Sequence, residues 1–185
     1  MVEVAARPAG ARGHWALFAA VAAVILVSDQ LSKRWVDASF GLAWTRAPGP
    51  GLVAPTPIAG DLVRIAKSYN DGGIFGLFGS SAPILALASL AVIGFILWYQ
   101  ARTAAGGPWL LTITLGLLLG GALGNLADRL RLGYVIDFVD VGLGSLRFYT
   151  FNVADSAISL AIVGLALVAL LGDRLDGSEV LEPGA

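Results

Sequence analysis

Cysteine is absent from the sequence, and histidine occurs once, at His14. The first absence excludes disulfides, thiol nucleophiles and thiolate metal sites. The second argues against a Ser-His-Asp triad and against a zinc site built from two or three imidazoles. Charge is scarce as well. Only 14% of the 185 residues are charged and the net charge is −1, with no basic stripe of the kind a nucleic-acid partner requires. Any catalysis must therefore run on Asp, Glu, Ser, Lys, Arg, Tyr or backbone groups, and the reading favoured below needs no metal and no cofactor.

What the chain has instead is apolar mass. Hydrophobic residues make up 57% of it and the mean hydropathy is +0.78. Soluble domains are nearer about 45–50% apolar and about 25% charged, so lipid is part of the solvent here. A single domain over 1–185 is expected at this length. Four stretches are long enough to span a bilayer, and the pattern predicts helices over 15–36, 82–100, 108–128 and 153–172, with a loose polar tail over 173–185. Arg7 and Arg12 before an apolar run suit a signal peptide, but no small-x-small site follows Val27, and an uncleaved first helix is the better reading. Residues 37–81 are rich in Pro and Gly and predict turns and short strands. Residues 136–151 alternate and carry Gly142 and Gly144, which predicts a hairpin. The fold class expected is an all-α membrane protein of four transmembrane helices with a small β-rich cradle.

Polar residues inside membrane helices are costly and are usually functional. Here they form five clusters, nearly all at one end of the spans. Asp29 and Lys33 have the i, i+4 order of a helix ion pair, readable as a structural pair at a helix end or as support for a site. Asn70-Asp71-Gly72-Gly73 precedes the second helix, and its glycines permit a sharp turn. Gly121, Asn125, Asp128 and Arg129 share one helical face. Asn125 and Arg129 read as a polar lining, and Asp128-Arg129 as an ordinary surface pair. Asp137 lies between Ile136 and Phe138, an apolar setting for an acid, readable also as a strand-end cap. Asp140 reads as a solvated neighbour. Asn152 suits an N-cap, and Asp155 then falls in a first helical turn, where its charge would favour the helix end whatever else it does.

Asp137 and Asp155 combine into a further reading. Two carboxylates at one membrane face, with no histidine or cysteine to compete, suggest an aspartic dyad sharing one proton. One would take a proton from water and the other would donate to the scissile carbonyl or the leaving amine. A polytopic transporter or channel, and a Mg²⁺-dependent lipid transferase using Asp128, Asp137, Asp140 and Asp155, are the alternatives from other functional classes.

The runs Gly120-Gly121-Ala122-Leu123-Gly124-Asn125-Leu126-Ala127-Asp128-Arg129, Val135-Ile136-Asp137-Phe138 and Phe151-Asn152-Val153-Ala154-Asp155-Ser156-Ala157-Ile158 resemble the bacterial lipoprotein signal peptidase (signal peptidase II) family. Asp29-Gln30-Leu31-Ser32-Lys33 and Asn70-Asp71-Gly72-Gly73-Ile74-Phe75 match its two upstream motifs. The resemblance covers all four spans in order. It implies an aspartic endopeptidase that removes prolipoprotein signal peptides just before a diacylglyceryl-modified cysteine. By that match Asp137 and Asp155 are catalytic, and Asn70, Gly72, Asn125, Arg129, Asn152, Asp29 and Lys33 surround or support them. It also implies a multi-pass protein of the bacterial inner membrane with cytoplasmic termini and a site near the outer face. The partners expected are the lipidated substrate and membrane lipid, and the chain is expected to act as a monomer. A count of Arg and Lys would place the termini outside, but the rule weakens for a loop as long as 37–81. Two departures bear on the cradle: Ile74 stands where the family has a small residue, and the stretch from Lys33 to Asn70 is longer and richer in proline.

Overall fold

The computed structural model describes residues 9–44, 48–72 and 82–175. Its elements run α1 (Ala9–Ser39), β1 (Thr56–Ala59), β2 (Val63–Asn70), α2 (Ala82–Thr103), α3 (Trp109–Leu132), β3 (Val135–Leu143), β4 (Leu146–Arg147) and α4 (Val153–Leu175). All four helices contain windows apolar enough to cross a membrane, with mean hydropathy from 1.7 to 2.2. A four-stranded antiparallel sheet in the order β1-β2-β3-β4 completes the fold.

Every helix extends past the limits read from hydropathy, because hydropathy loses a helix where its polar residues begin. α1 runs from Ala9 to Ser39 against an expected 15–36, so Asp29 and Lys33, already inside the expected span, lie in its body rather than at its end. α3 continues past Ala127 to Leu132 and stops at Gly133, whose φ of 80° lets its N–H turn back onto the Arg129 carbonyl. α4 continues through Leu175, so the first residues of the expected loose tail are helical. The rest of that tail, and Gly73, Ile74 and Phe75, lie outside the described residues.

α3 is the central helix. Two thirds of its apolar window (67%) is buried, against 17–22% in the other three. Glycine makes that position possible. A Cβ on Gly120 would lie 2.7 Å from the Ala22 carbonyl oxygen of α1, and one on Gly121 would lie 2.6 Å from the Ala154 carbonyl oxygen of α4. Neither backbone can move away without opening the bundle. Phe18 and Ala22 of α1, Ile96 of α2 and Leu111, Leu115 and Leu119 of α3 form the apolar core below this contact. His14 belongs to that remote end: its ring stacks on Trp109 at 3.8 Å and its Nδ1 lies 2.6 Å from Thr112 Oγ1.

The sheet caps the other end and receives both neighbouring helices. β3 starts two residues after Gly133, so α3 and β3 are rigidly coupled. The chain leaving β4 returns alongside β3, where Val139 N–H donates to the Phe151 carbonyl at 2.8 Å and Phe151 N–H donates back to Val139 at 3.0 Å. That return places Asn152 and the start of α4 beside the middle of β3. Asp140, expected to be a solvated neighbour, is buried instead. It faces Arg64 across the β2–β3 register and accepts from Arg64 Nη2 at 2.6 Å and Arg147 Nε at 2.9 Å.

Replacing Gly120 with Ala forces α1 and α3 apart. The loss of stability expected is about 1–3 kcal/mol, read as a lower melting temperature of the detergent-purified protein. Gly94, in α2, has nothing within 4 Å of a Cβ, so Gly94→Ala serves as a control within about 1 kcal/mol of wild type.

Candidate active site

Five elements converge where the sheet meets the helices. α1 contributes Asp29, Gln30 and Lys33; the end of β2 contributes Asn70; α3 contributes Asn125, Asp128 and Arg129; β3 contributes Asp137; and the start of α4 contributes Asn152 and Asp155. All nine residues singled out in the sequence are described, and hydrogen bonds link them into one network, which Arg129 joins only through a long bond to the Asn125 carbonyl.

Three asparagines organise it. Asn152 is the N-cap of α4: its Oδ1 accepts from Asp155 N–H at 2.9 Å, and Asp155 Oδ2 accepts in return from Asn152 N–H at 3.2 Å. This reciprocal arrangement is a capping box. The Asn152 amide nitrogen then faces β3 and donates to Asp137 Oδ1 at 2.7 Å. Asn70 donates to the other Asp137 oxygen, Oδ2, at 3.0 Å, while its own oxygen accepts from Gly72 N–H at 2.9 Å. Gly72 has a φ of 79°, which turns the chain so that this N–H points back. Asn125 donates to Asp155 Oδ1 at 2.8 Å, and its oxygen accepts from Lys33 Nζ at 2.9 Å and from Asn152 at 3.2 Å. Both oxygens of both aspartates thus accept an N–H.

Asp137 and Asp155 differ in their surroundings. Asp137 is 3% exposed, and burial pushes its carboxyl up to about 6, aided by the nearby Asp155 charge and opposed by the Asn70 and Asn152 donors. Asp155 is half-buried and faces the amide end of α4. Its reading as a good first-turn residue is satisfied through Oδ2, and Oδ1 is turned the other way, to Asn125.

Behind the pair sits a charged layer with no exposed surface. Lys33 Nζ lies 2.8 Å from Asp29 Oδ2 and 3.0 Å from Asp128 Oδ2. Asp29 Oδ1 also accepts from Ala154 N–H in the first turn of α4, at 2.9 Å. Asp128, read from sequence as a surface partner of Arg129, is instead fully buried. It accepts from Gln30 Nε2 at 3.0 Å and from Ile136 N–H at 3.3 Å. Its spacing carried the signal: Asp128 lies seven residues after Gly121 and four after Gly124, on the face that packs inward. Gln30 was overlooked beside Asp29.

In front of Asp137 a cleft of about 1180 Å³ opens, lined by Asp137, Asn70, Gly72 and Arg129 at one end and by Arg64 and Arg147 over the sheet. A smaller apolar groove of about 300 Å³ between α2, α3 and α4 begins at Asn125 and Arg129. Arg129 borders both. Its Nη1 donates weakly to the Asn125 carbonyl at 3.4 Å, and its buried Nε has no partner among the described residues.

Comparison with known proteins agrees with the layout. Residues 21–171 match the family described as signal peptidase (SPase) II. The lipoprotein signal peptidase of Caulobacter vibrioides is 37% identical over 169 residues, spanning 88% of this chain and 91% of that protein. That of Rhizorhabdus wittichii is 40% identical over 162 residues, with 85% and 88% covered. A solved bacterial membrane enzyme superposes with a TM-score of 0.69, covering 83% of this chain and 91% of its own at 21% identity, which speaks to the fold. The transporter and Mg²⁺-transferase alternatives find no support. Of the acids the second would need, Asp128 is committed to Lys33 and Asp140 to two arginines, and no group of three or more acids suited to a metal forms among the described residues. This chain is a multi-pass bacterial membrane protein and a peptidase, and it belongs to the signal peptidase II family.

Proposed function

We propose that the enzyme removes signal peptides from prolipoproteins on the N-terminal side of the diacylglyceryl-modified cysteine, with Asp137 and Asp155 as its catalytic pair. One observation carries the assignment. Two carboxylates from different elements are bridged by Asn152, with Asp137 at the mouth of a cleft, while the other buried acids nearby are neutralised by cations. The names of the relatives supply the substrate class.

In the mechanism, the pair holds one proton, because two adjacent carboxylates do not both ionise. Asp137, with burial holding its carboxyl up, carries that proton. Asp155 takes a proton from a water molecule in the cleft as that water attacks the scissile carbonyl. Asp137 donates its proton to the carbonyl oxygen; Asp155 then passes the proton it took from water to the leaving amine as the C–N bond breaks, and a hydroxyl of the collapsing diol returns a proton to Asp137. Arg129, with its unpartnered Nε between the cleft and the apolar groove, holds the substrate backbone. The groove lies at membrane depth and suits apolar substrate, while the part of the cleft over the sheet suits the chain on the aqueous side.

The same reading places the sheet end at the outer face of the inner membrane and both termini in the cytoplasm, because the mature part of a prolipoprotein lies outside. A cysteine-free chain makes this directly testable. Ser145→Cys, on the β3–β4 turn, is expected to react with a membrane-impermeant maleimide added to intact spheroplasts, and Gly106→Cys, between α2 and α3, only after lysis. The opposite labelling pattern rejects the orientation.

Asp137→Asn and Asp155→Asn are each expected to lower cleavage of a lipidated prolipoprotein by about 10²–10⁴-fold while the melting temperature stays near that of wild type. Cleavage that persists in either variant removes the dyad. The pH dependence follows from Asp137. Since its protonated form is the one that works, kcat/KM falls as pH rises through about 6. Asn70 donates to the ionised form and so holds this value down; Asn70→Ala releases it and moves the alkaline limb to higher pH. A limb unchanged, or moved to lower pH, contradicts the assignment of the proton to Asp137.

A further inference from the structure

An asparagine side chain can turn over at little expense unless its neighbours distinguish oxygen from nitrogen. In this site each of the three asparagines has a neighbour that can only donate. For Asn152 it is Asp155 N–H, and for Asn70 it is Gly72 N–H. For Asn125 it is the Lys33 ammonium, at 2.9 Å, which has three protons and no lone pair, and it acts beside the longer bond from the Asn152 amide at 3.2 Å. The oxygen of each amide must face that donor, so the nitrogen must face a catalytic carboxylate. Two of these keys are backbone groups, fixed by the fold. The third is a side chain with four carbon atoms, and it needs holding.

Asp29 and Asp128 do that. Lys33 spends its other two protons on them, at 2.8 and 3.0 Å, and all three side chains are sealed from solvent. Asp29 is anchored by Ala154 N–H of α4, and Asp128 by Gln30 of α1 and by Ile136 N–H, one residue before Asp137. Every partner of Asp128 is a donor, so only a carboxylate fits. We propose that Lys33 and Asp128 are positioning residues that key the Asn125 amide, so that Asn125 presents an N–H and not an oxygen to Asp155. Neither touches the substrate. This inference rests on the dyad reading given above.

The inference separates from a purely structural role through charge. Asp29 and Lys33 of α1, Arg64 of β2, Asp71 after β2, Asp128, Arg129 and Arg131 of α3, Asp137 and Asp140 of β3, Arg147 of β4 and Asp155 of α4 are the charged groups around the site, and Arg64 and Arg147 are paired with Asp140. Lys33 acts on Asp137 through space, favouring its ionised form. Lys33→Gln removes a positive charge, so Asp137 keeps its proton to higher pH and the alkaline limb moves up. Asp128→Asn removes a negative charge, and the limb moves down. The double variant restores the charge but not the key.

The test is kcat, KM and the pH profile of wild type, Lys33→Gln, Asp128→Asn and the double variant on a lipidated prolipoprotein. In the single variants kcat is expected to fall about tenfold or more with KM within about twofold, and the limbs to move in opposite directions. The double variant is expected to regain the wild-type limb and keep the low kcat. Limbs that do not move, a change confined to KM, or a double variant with wild-type kcat each overturn the proposal. If the single variants do not fold, the charge-balanced double variant decides; if none of the three folds while wild type does, the role is structural and the proposal is wrong. Wild-type protein that fails to cleave the substrate rejects the function itself. Active wild type, inactive Asp137→Asn and unmoved limbs reject this inference alone.

Discussion

An ammonium group with no exposed surface, inside a membrane protein, is a demanding thing to bury. The desolvation of a charge amounts to several kcal/mol per ion even after relaxation, and it is recovered only when every proton finds an acceptor. Lys33 meets that condition with Asp29, Asp128 and Asn125. Such groups rarely raise net stability against a well-packed apolar core, and removing one partner leaves a bare charge at about 3–5 kcal/mol. What the arrangement does give is direction. An apolar residue at position 33 would pack, but it could not tell the oxygen of Asn125 from its nitrogen.

The rest of the site follows from where that layer sits. Gly120, Gly121 and Gly124 bring α3 so close to α1 and α4 that side chains from the three helices share one plane of contact. Asp29 reaches the first turn of α4, and Asp128 reaches the first residues of β3. Lys33 therefore ties together the two elements that carry Asp155 and Asp137. The αL cap at Gly133 and the return of Phe151 along β3 close the same loop through the backbone. Side-chain and main-chain connections agree, and a carboxylate on a strand is held against one on a helix.

Much of this was legible in the residues. The four spans, the short hairpin after Tyr134 and the pairing of Asp137 with Asp155 came from apolar runs, alternation and the scarcity of any other catalytic side chain. Helix limits were not legible, because α1 begins before Arg12 and ends after Asp37, and hydropathy cannot tell a polar residue that continues a helix from one that ends it. Asp140 looked solvated because Arg64, its cross-strand partner, is 76 positions away. Asp128 looked like half of a surface pair because Arg129 follows it. Its own partners come from α1 and β3, and only the helical phase it shares with Gly121 and Gly124 pointed inward.

The four N–H groups that the two aspartates accept are not equivalent. Asp155 receives one from the backbone of Asn152 and one from Asn125, and Asp137 receives one from Asn152. Those three come from groups buried or locked in the α3–α4 contact. The fourth comes from Asn70, which is exposed, ends β2, and is keyed only by the N–H of Gly72. The buried side of the pair is thus built from the helices, and its open side from the segment that follows β2. The cleft opens on that open side. Asn70 and Asp137 line the cleft together, so the most exposed of the four donors stands where the pair faces open space.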